Sequence, residues 1–331
     1  MRNAECGMRN SERDAVILSA AKNLAGFVKR SAPMSEQACP EHSRRISEPA
    51  QRATPWRRLV TALGWTRSSY VLLSVFLATV LVIGVVWWPL AKEALSYLDW
   101  SRPLWAQVDW LLWGIFAAMS LLIMAGADLK ADALIVLVGL AGGLVIESWG
   151  TQTELWTYYT RERPPLWIIP AWPIASLSID RLARLLQRLV PALPRAAVRG
   201  AYWPAFAAFY ALMLVFVWPT ANKSLTLASL ALCALLILTP ADHRMALLTF
   251  AAGAGLGYFL ERWGTTRLCW TYYTRQTPPL FAVLAHGMAA VAFWRTGLLV
   301  RQVLGRLVSG LRLRRNSRYE EARRRETGGA G

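Results

Sequence analysis

Glu147 and Glu261 are the residues best placed to do chemistry in this chain of 331 residues. Each lies near the C-terminal end of an otherwise apolar stretch. A carboxylate in apolar surroundings is costly, and the negative end of a helix dipole adds to that cost. Neither residue is there for helix stability. Set across from one another, two such carboxyls could serve as general acid and base, or hold a proton or a cation. A structural reading stands beside this one: each Glu pairs with Arg161 or Arg275 of the loop that follows it. His286 is the histidine within an apolar stretch, at a depth similar to Glu261. It reads as a proton carrier or partner for Glu261, or as a histidine bonded to a neighbouring helix.

Both glutamates open the same motif. Residues 147–166 read ESWGTQTELWTYYTRERPPL, and residues 261–280 read ERWGTTRLCWTYYTRQTPPL. At an offset of 114 the two match at 13 of 20 positions. The chain is therefore read as a duplication. The aromatic and basic positions Trp149, Trp156, Tyr158, Tyr159 and Arg161 recur as Trp263, Trp270, Tyr272, Tyr273 and Arg275. Trp and Tyr collect at membrane interfaces as simple anchors, yet an anchoring belt does not require six identical residues in a row. The alternative is a binding site built by both copies, whose aromatic walls stack on a polyene or clamp a cation. Gly150 and Gly264 read as helix C-caps. Pro170 and Pro173 are expected to kink the helix they lie in. Asp128 and Asp242, also 114 apart, read as helix N-caps. The repeat breaks where Trp172 aligns with His286.

The elements that carry these residues are membrane helices. Hydrophobic residues make up 55% of the chain and charged residues 17%, with 17 Trp. The apolar runs are of membrane-spanning length, about 20 residues. Eight spans are expected, at residues 69–91, 105–127, 131–150, 166–182, 201–219, 225–239, 245–264 and 279–299. The fold class is all-α, a polytopic integral membrane protein of two parallel four-helix repeats at 59–200 and 201–300. An Arg-rich tail at 301–331 follows, and a basic leader at 1–58 precedes. That leader is polar and aperiodic, and parts of it resemble translated intergenic repeat elements. It is either a start placed too far upstream or a real basic arm.

Arg residues crowd the 181–199 loop and the tail, which places both termini in the cytoplasm of a bacterial inner membrane and both motif loops outside. Parallel repeats imply a pseudo-two-fold axis along the membrane normal, with the two motif copies flanking one cavity. The net charge of +17 thus reflects cytoplasmic flanks and not a nucleic-acid surface. The four Cys form no CxxC pair, so neither a zinc site nor a disulfide framework is read. No cofactor or metal is expected. The partners are the lipid bilayer and a lipophilic small molecule.

The run Glu147-x-x-Gly150-x-x-Thr153-x-Leu155, followed by aromatic positions, resembles the motif region of membrane carotenoid biosynthesis proteins of the hydratase type. Their pattern is E-x-x-G-x-x-T-G before a stretch with Phe and Tyr. Glu154 departs from it, as does Arg267 in the second copy. The resemblance implies acid–base chemistry on an isoprenoid double bond. Glu147 would protonate or orient, and aromatic faces would stabilise positive charge. Two other functions fit the same residues: a proton- or cation-coupled transporter with a cavity between the repeats, and a non-catalytic membrane scaffold.

Overall fold

The structure is a computed structural model that describes residues 60–61 and 64–328. The leader reading for 1–58 lies outside the described residues. Helix α1 (Arg67–Val86) opens on a capping box between Thr66 and Ser69. The Ser69 hydroxyl also donates to the Met124 carbonyl at 2.7 Å. The expected first span, 69–91, is broken at Trp87, and α2 (Trp88–Ser96) carries Pro89 in its first turn. Pro has no N–H and its ring crowds the carbonyl four residues back, which favours a new helix start at this point. The expected second span likewise begins later. Helix α3 (Trp110–Met124) starts where the Asp109 side chain accepts from the Leu112 amide at 3.2 Å.

Helix α4 (Leu129–Gln152) carries the first glutamate and α8 (His243–Thr266) the second. Asp128 and Asp242 cap them, accepting from Lys130 N and Met245 N at 2.9 Å each. Gly150 and Gly264 lie inside these helices and not at their ends, so the C-cap reading is corrected. Each is needed for a different reason. A Cβ on Gly150 would fall 1.8 Å from the Trp156 indole, and one on Gly264 would fall 2.0 Å from the Trp270 indole. Each glycine is a socket for the tryptophan that follows it.

Helix α5 (Ala171–Leu189) starts on Pro170 as its cap, with Pro173 in its first turn. The two prolines set a helix start and do not kink a span, because turns of chain from Pro165 to Trp172 come first. Helix α6 (Arg195–Val217) continues into a 3₁₀ turn at Trp218–Thr220 and is followed by α7 (Ser224–Leu238). Helix α9 (Leu280–Gly328) runs on without a break through the residues read as a separate tail.

Among the described residues four helices are long and apolar enough to cross a membrane: Arg67–Val86, Leu129–Gln152, Arg195–Thr220 and Leu280–Leu307. Helices α3 and α7 are apolar but shorter. Helices α4 and α5 cross closely, as do α8 and α9. A Cβ on Gly139 would meet the Pro173 Cα at 2.9 Å, and one on Gly253 the Gly287 Cα at 2.9 Å. Small residues let backbones approach in this way.

The motif loops, read as loops, contain paired strands. β1 (Trp156–Tyr158) and β2 (Trp270–Tyr272) form a two-stranded antiparallel sheet. The register sets Trp156 opposite Tyr272, Thr157 opposite Thr271 and Tyr158 opposite Trp270. A two-fold axis through the Thr157–Thr271 pair generates that register, because each Trp faces the other copy's Tyr. Flanking bonds obey the same operation. Tyr159 N donates to the Cys269 carbonyl at 3.2 Å, and Tyr273 N to the Leu155 carbonyl at 3.1 Å. Strand alternation leaves Thr157 and Thr271 exposed and turns Trp156, Tyr158 and Tyr272 inward.

Candidate functional site

Each inward-facing Trp and Tyr meets the glutamate nine or eleven residues before it. The Trp156 indole Nε1 donates to Glu147 Oε2 at 3.1 Å, and the Tyr158 hydroxyl to Glu147 Oε1 at 2.9 Å. In the second copy Trp270 Nε1 donates to Glu261 Oε2 at 2.9 Å, and the Tyr272 hydroxyl to Glu261 Oε1 at 2.9 Å. Both carboxyls are buried at 3% exposure. Such donors take the place of water around a carboxylate that would otherwise be unaffordable there. The Glu–Arg pairing is corrected. Arg161 and Arg275 are exposed and form no ion pair among the described residues.

The cages lie against each other. Trp156 packs on Tyr272 and Tyr158 on Trp270, both with ring centroids 5.9 Å apart. The copies differ at one place. Trp172 Nε1 gives Glu147 Oε1 a third donor at 3.1 Å. The aligned His286 stands 3.7 Å from Glu261 Oε1, longer than a hydrogen bond. Trp172 and His286 stack with ring planes 10° apart. His286 Nδ1 is 2.9 Å from the Ala282 carbonyl. A carbonyl only accepts, so Nδ1 carries the proton, and Nε2 of the neutral ring is left as an acceptor. The neighbouring-helix reading of His286 is thereby replaced by a bond within its own helix.

A cavity of about 1080 Å³ opens beside both cages. Glu147, Glu261 and His286 line it, together with Trp149, Trp156, Tyr158, Trp263, Trp270 and Tyr272. The remaining walls are mostly aliphatic and aromatic residues of α1, α3, α7 and α9. Tyr159, Tyr273, Arg161 and Arg275 do not line it. The two tyrosines tie the loops to preceding helices instead. The Tyr159 hydroxyl donates to the Val86 carbonyl, and the Tyr273 hydroxyl to the Phe216 carbonyl at 2.7 Å.

Three features were missed. Trp87 stacks on Trp263 at 5.2 Å and faces Trp167 edge-on at 5.7 Å, closing the cavity wall on one side. It does not recur at the offset of 114, where Ala201 stands, so alignment gives no sign of it. Asp109 accepts from Trp263 Nε1 at 2.8 Å and from Arg267 Nε at 3.1 Å. Burial pushes the Asp109 carboxyl up, but the Trp263 indole, the Leu112 amide and Arg267 together hold it below the ordinary value. Asp132 and Arg181 form a buried ion pair at 2.6 Å. A second Asp one turn beyond the Asp128 cap was the available signal.

Among the described residues no group of three His, Cys, Asp or Glu is arranged to hold a metal ion. The fold and site define a largely helical protein with membrane-length apolar helices and two caged carboxyls beside an apolar cavity. No family model, curated protein or solved structure matches the chain.

Proposed function

We propose that this protein is an enzyme of the bacterial cytoplasmic membrane that takes an elongated isoprenoid-type lipid into its cavity and protonates one of its double bonds. The observation that carries the proposal is the pair of buried carboxyls lining one large apolar, aromatic cavity. The cavity's chemistry suits an unsaturated hydrocarbon. Carboxyls held in such a place suit proton transfer, and the Trp and Tyr faces suit a carbocation.

The copies divide the work. Glu147, held by Trp156, Tyr158 and Trp172, is fixed in place and positions the site. Glu261 and His286 exchange the proton. Protonated Glu261 gives its proton to one alkene carbon, and the positive charge forms on the other. Water then adds to that carbon and sheds its proton to the free Nε2 of His286, and the imidazolium so formed returns the proton on Nδ1, the ring nitrogen 3.7 Å from Oε1, to Glu261. The net change is addition of water, and exchange with water returns the His286 ring to its first tautomer.

Eight membrane crossings with both termini inside belong to the same proposal. What supports it is the position of α5 and α8, which pack in the middle of the bundle against α3, α4 and α9. Helices covered by protein and not by lipid need less apolar surface. At about 1.5 Å per residue, the 19 residues of α5 reach nearly the ~30 Å hydrocarbon thickness.

The test is mass spectrometry of lipids that copurify in mild detergent, wild type beside Glu261→Gln. We expect a stoichiometric isoprenoid, with hydrated product in the wild type and unreacted alkene in the variant. Bulk phospholipid alone in both would remove the enzyme reading and leave the transporter or scaffold.

A further inference from the structure

The sheet has an outer face as well as the inner one that meets the glutamates. A second cavity, of about 360 Å³, lies there. Thr157, Thr271, Arg161 and Arg163 line it, and Tyr158 and Leu268 line both it and the large cavity. The two spaces therefore share a wall.

Arg161 has a left-handed backbone, φ 60°, and so does its counterpart Arg275, φ 59°. Their amides donate to the Tyr158 and Tyr272 carbonyls at 2.9 Å and turn the chain out of each strand. Gly or Asn takes that conformation at lower cost. The turn does not need an arginine side chain, and of the two arginines it is Arg161 that lines the second cavity. Arg163 is spoken for by Glu154, at 2.8 Å. Arg161 forms no ion pair among the described residues, although Glu162 is exposed next to it. A guanidinium free to bond two oxygens at once, beside two threonine hydroxyls, is suited to a phosphate-type anion.

We infer that the lipid is an amphiphile with a phosphate-type head, which sits on Arg161, Thr157 and Thr271 while its chain enters the large cavity past Leu268. The inference rests on the isoprenoid reading above and names the head that reading leaves open. The adjoining apolar cavity favours a lipid head over a free anion.

The experiment uses the full chain in detergent and three probes: geranylgeranyl phosphate, geranylgeraniol and inorganic phosphate. Binding is read by quenching of tryptophan fluorescence in the wild type and in Arg161→Gln. Arg161 is exposed, so the variant should fold, and an unchanged melting temperature checks this. Arg161→Lys, which keeps the charge, serves as a second variant. The wild type should bind the phosphate about tenfold more tightly than the alcohol, the worth of one charge-assisted bidentate contact. Arg161→Gln should erase that advantage without weakening the alcohol, and Arg161→Lys should retain part of it. Equal binding of phosphate and alcohol in the wild type overturns the inference and leaves the isoprenoid reading standing. So does an advantage that survives Arg161→Gln. Displacement of geranylgeranyl phosphate by equimolar inorganic phosphate overturns the lipid-head assignment in favour of a free anion. Binding of neither lipid overturns both readings.

Discussion

Replacing Gly150 by Ala tests how the site is assembled. In an open helical position this change stabilises by about 1 kcal/mol, because Gly carries the larger loss of chain freedom. Here the new Cβ would lie 1.8 Å from the Trp156 indole. Carbon atoms in contact sit ~3.5 Å apart, so the indole must withdraw by about 1.7 Å. It has little room, being packed edge-on against Trp149 and tilted against Tyr272, each at 5.9 Å. Withdrawal also breaks its bond to Glu147 Oε2. Overpacking costs about 1–3 kcal/mol, and loss of a hydrogen bond to a buried charged group about 1.5–3 kcal/mol. After the helix gain the net loss is roughly 1.5–5 kcal/mol. Gly264→Ala faces the same obstacle in Trp270, at 2.0 Å, and should lose a similar amount. Gly84, Gly114 and Gly255 have nothing within 4 Å of the new atom, so their Ala variants serve as controls and should be neutral or slightly more stable. Unfolding titrations in mixed detergent micelles give all five values. If Gly150→Ala and Gly264→Ala prove as stable as the controls, the socket argument is refuted, and with it the claim that these indoles are fixed on the glutamates.

Two further expectations concern groups outside the cages. Arg181→Ala leaves Asp132 as an uncompensated buried charge, which costs about 3–5 kcal/mol, whereas the double change Asp132→Asn with Arg181→Met should recover most of that; equal losses in single and double variants would contradict the pairing. Cys269 is 2% exposed, and burial pushes its thiol up to about 12. Since only the thiolate reacts, a maleimide should label it slowly in the folded protein at neutral pH and fast after denaturation. A cysteine placed at the exposed Thr271 should label readily from outside intact cells; labelling of it only from the cytoplasmic side would reverse the proposed orientation.

The repeat made much of the site legible. Both glutamates and the Trp and Tyr that hold them recur at one offset, and the sequence pointed to a shared cavity because identical loops must be used alike. Partners were harder to read. Arg161 and Arg275 were natural counter-charges for the glutamates, but the left-handed turn carries them to the outer face and leaves neutral donors to solvate the carboxyls. Gly150 resembled a cap because caps and sockets use the same residue, and only the position of an indole six residues later separates the two. Trp87 and Asp109 do not recur in the second copy, where Ala201 and Lys223 stand 114 residues on, so comparison of the halves could not find them. The breaks at Trp87 and Pro170 are local proline effects within runs whose hydropathy is continuous, which is why hydropathy alone placed the helix ends wrongly.

The most direct test of the proton-transfer claim is to supply geranylgeraniol to the full chain in D₂O and look for deuterium on carbon. The wild type should place one deuterium at a non-exchangeable carbon of the lipid. Glu261→Gln should place none, and neither should His286→Trp, which gives the second copy the indole that already sits at Trp172 and should keep the fold. A wild-type protein that binds the lipid but returns it without carbon-bound deuterium would contradict the assignment of Glu261 and His286 as a working acid–base pair.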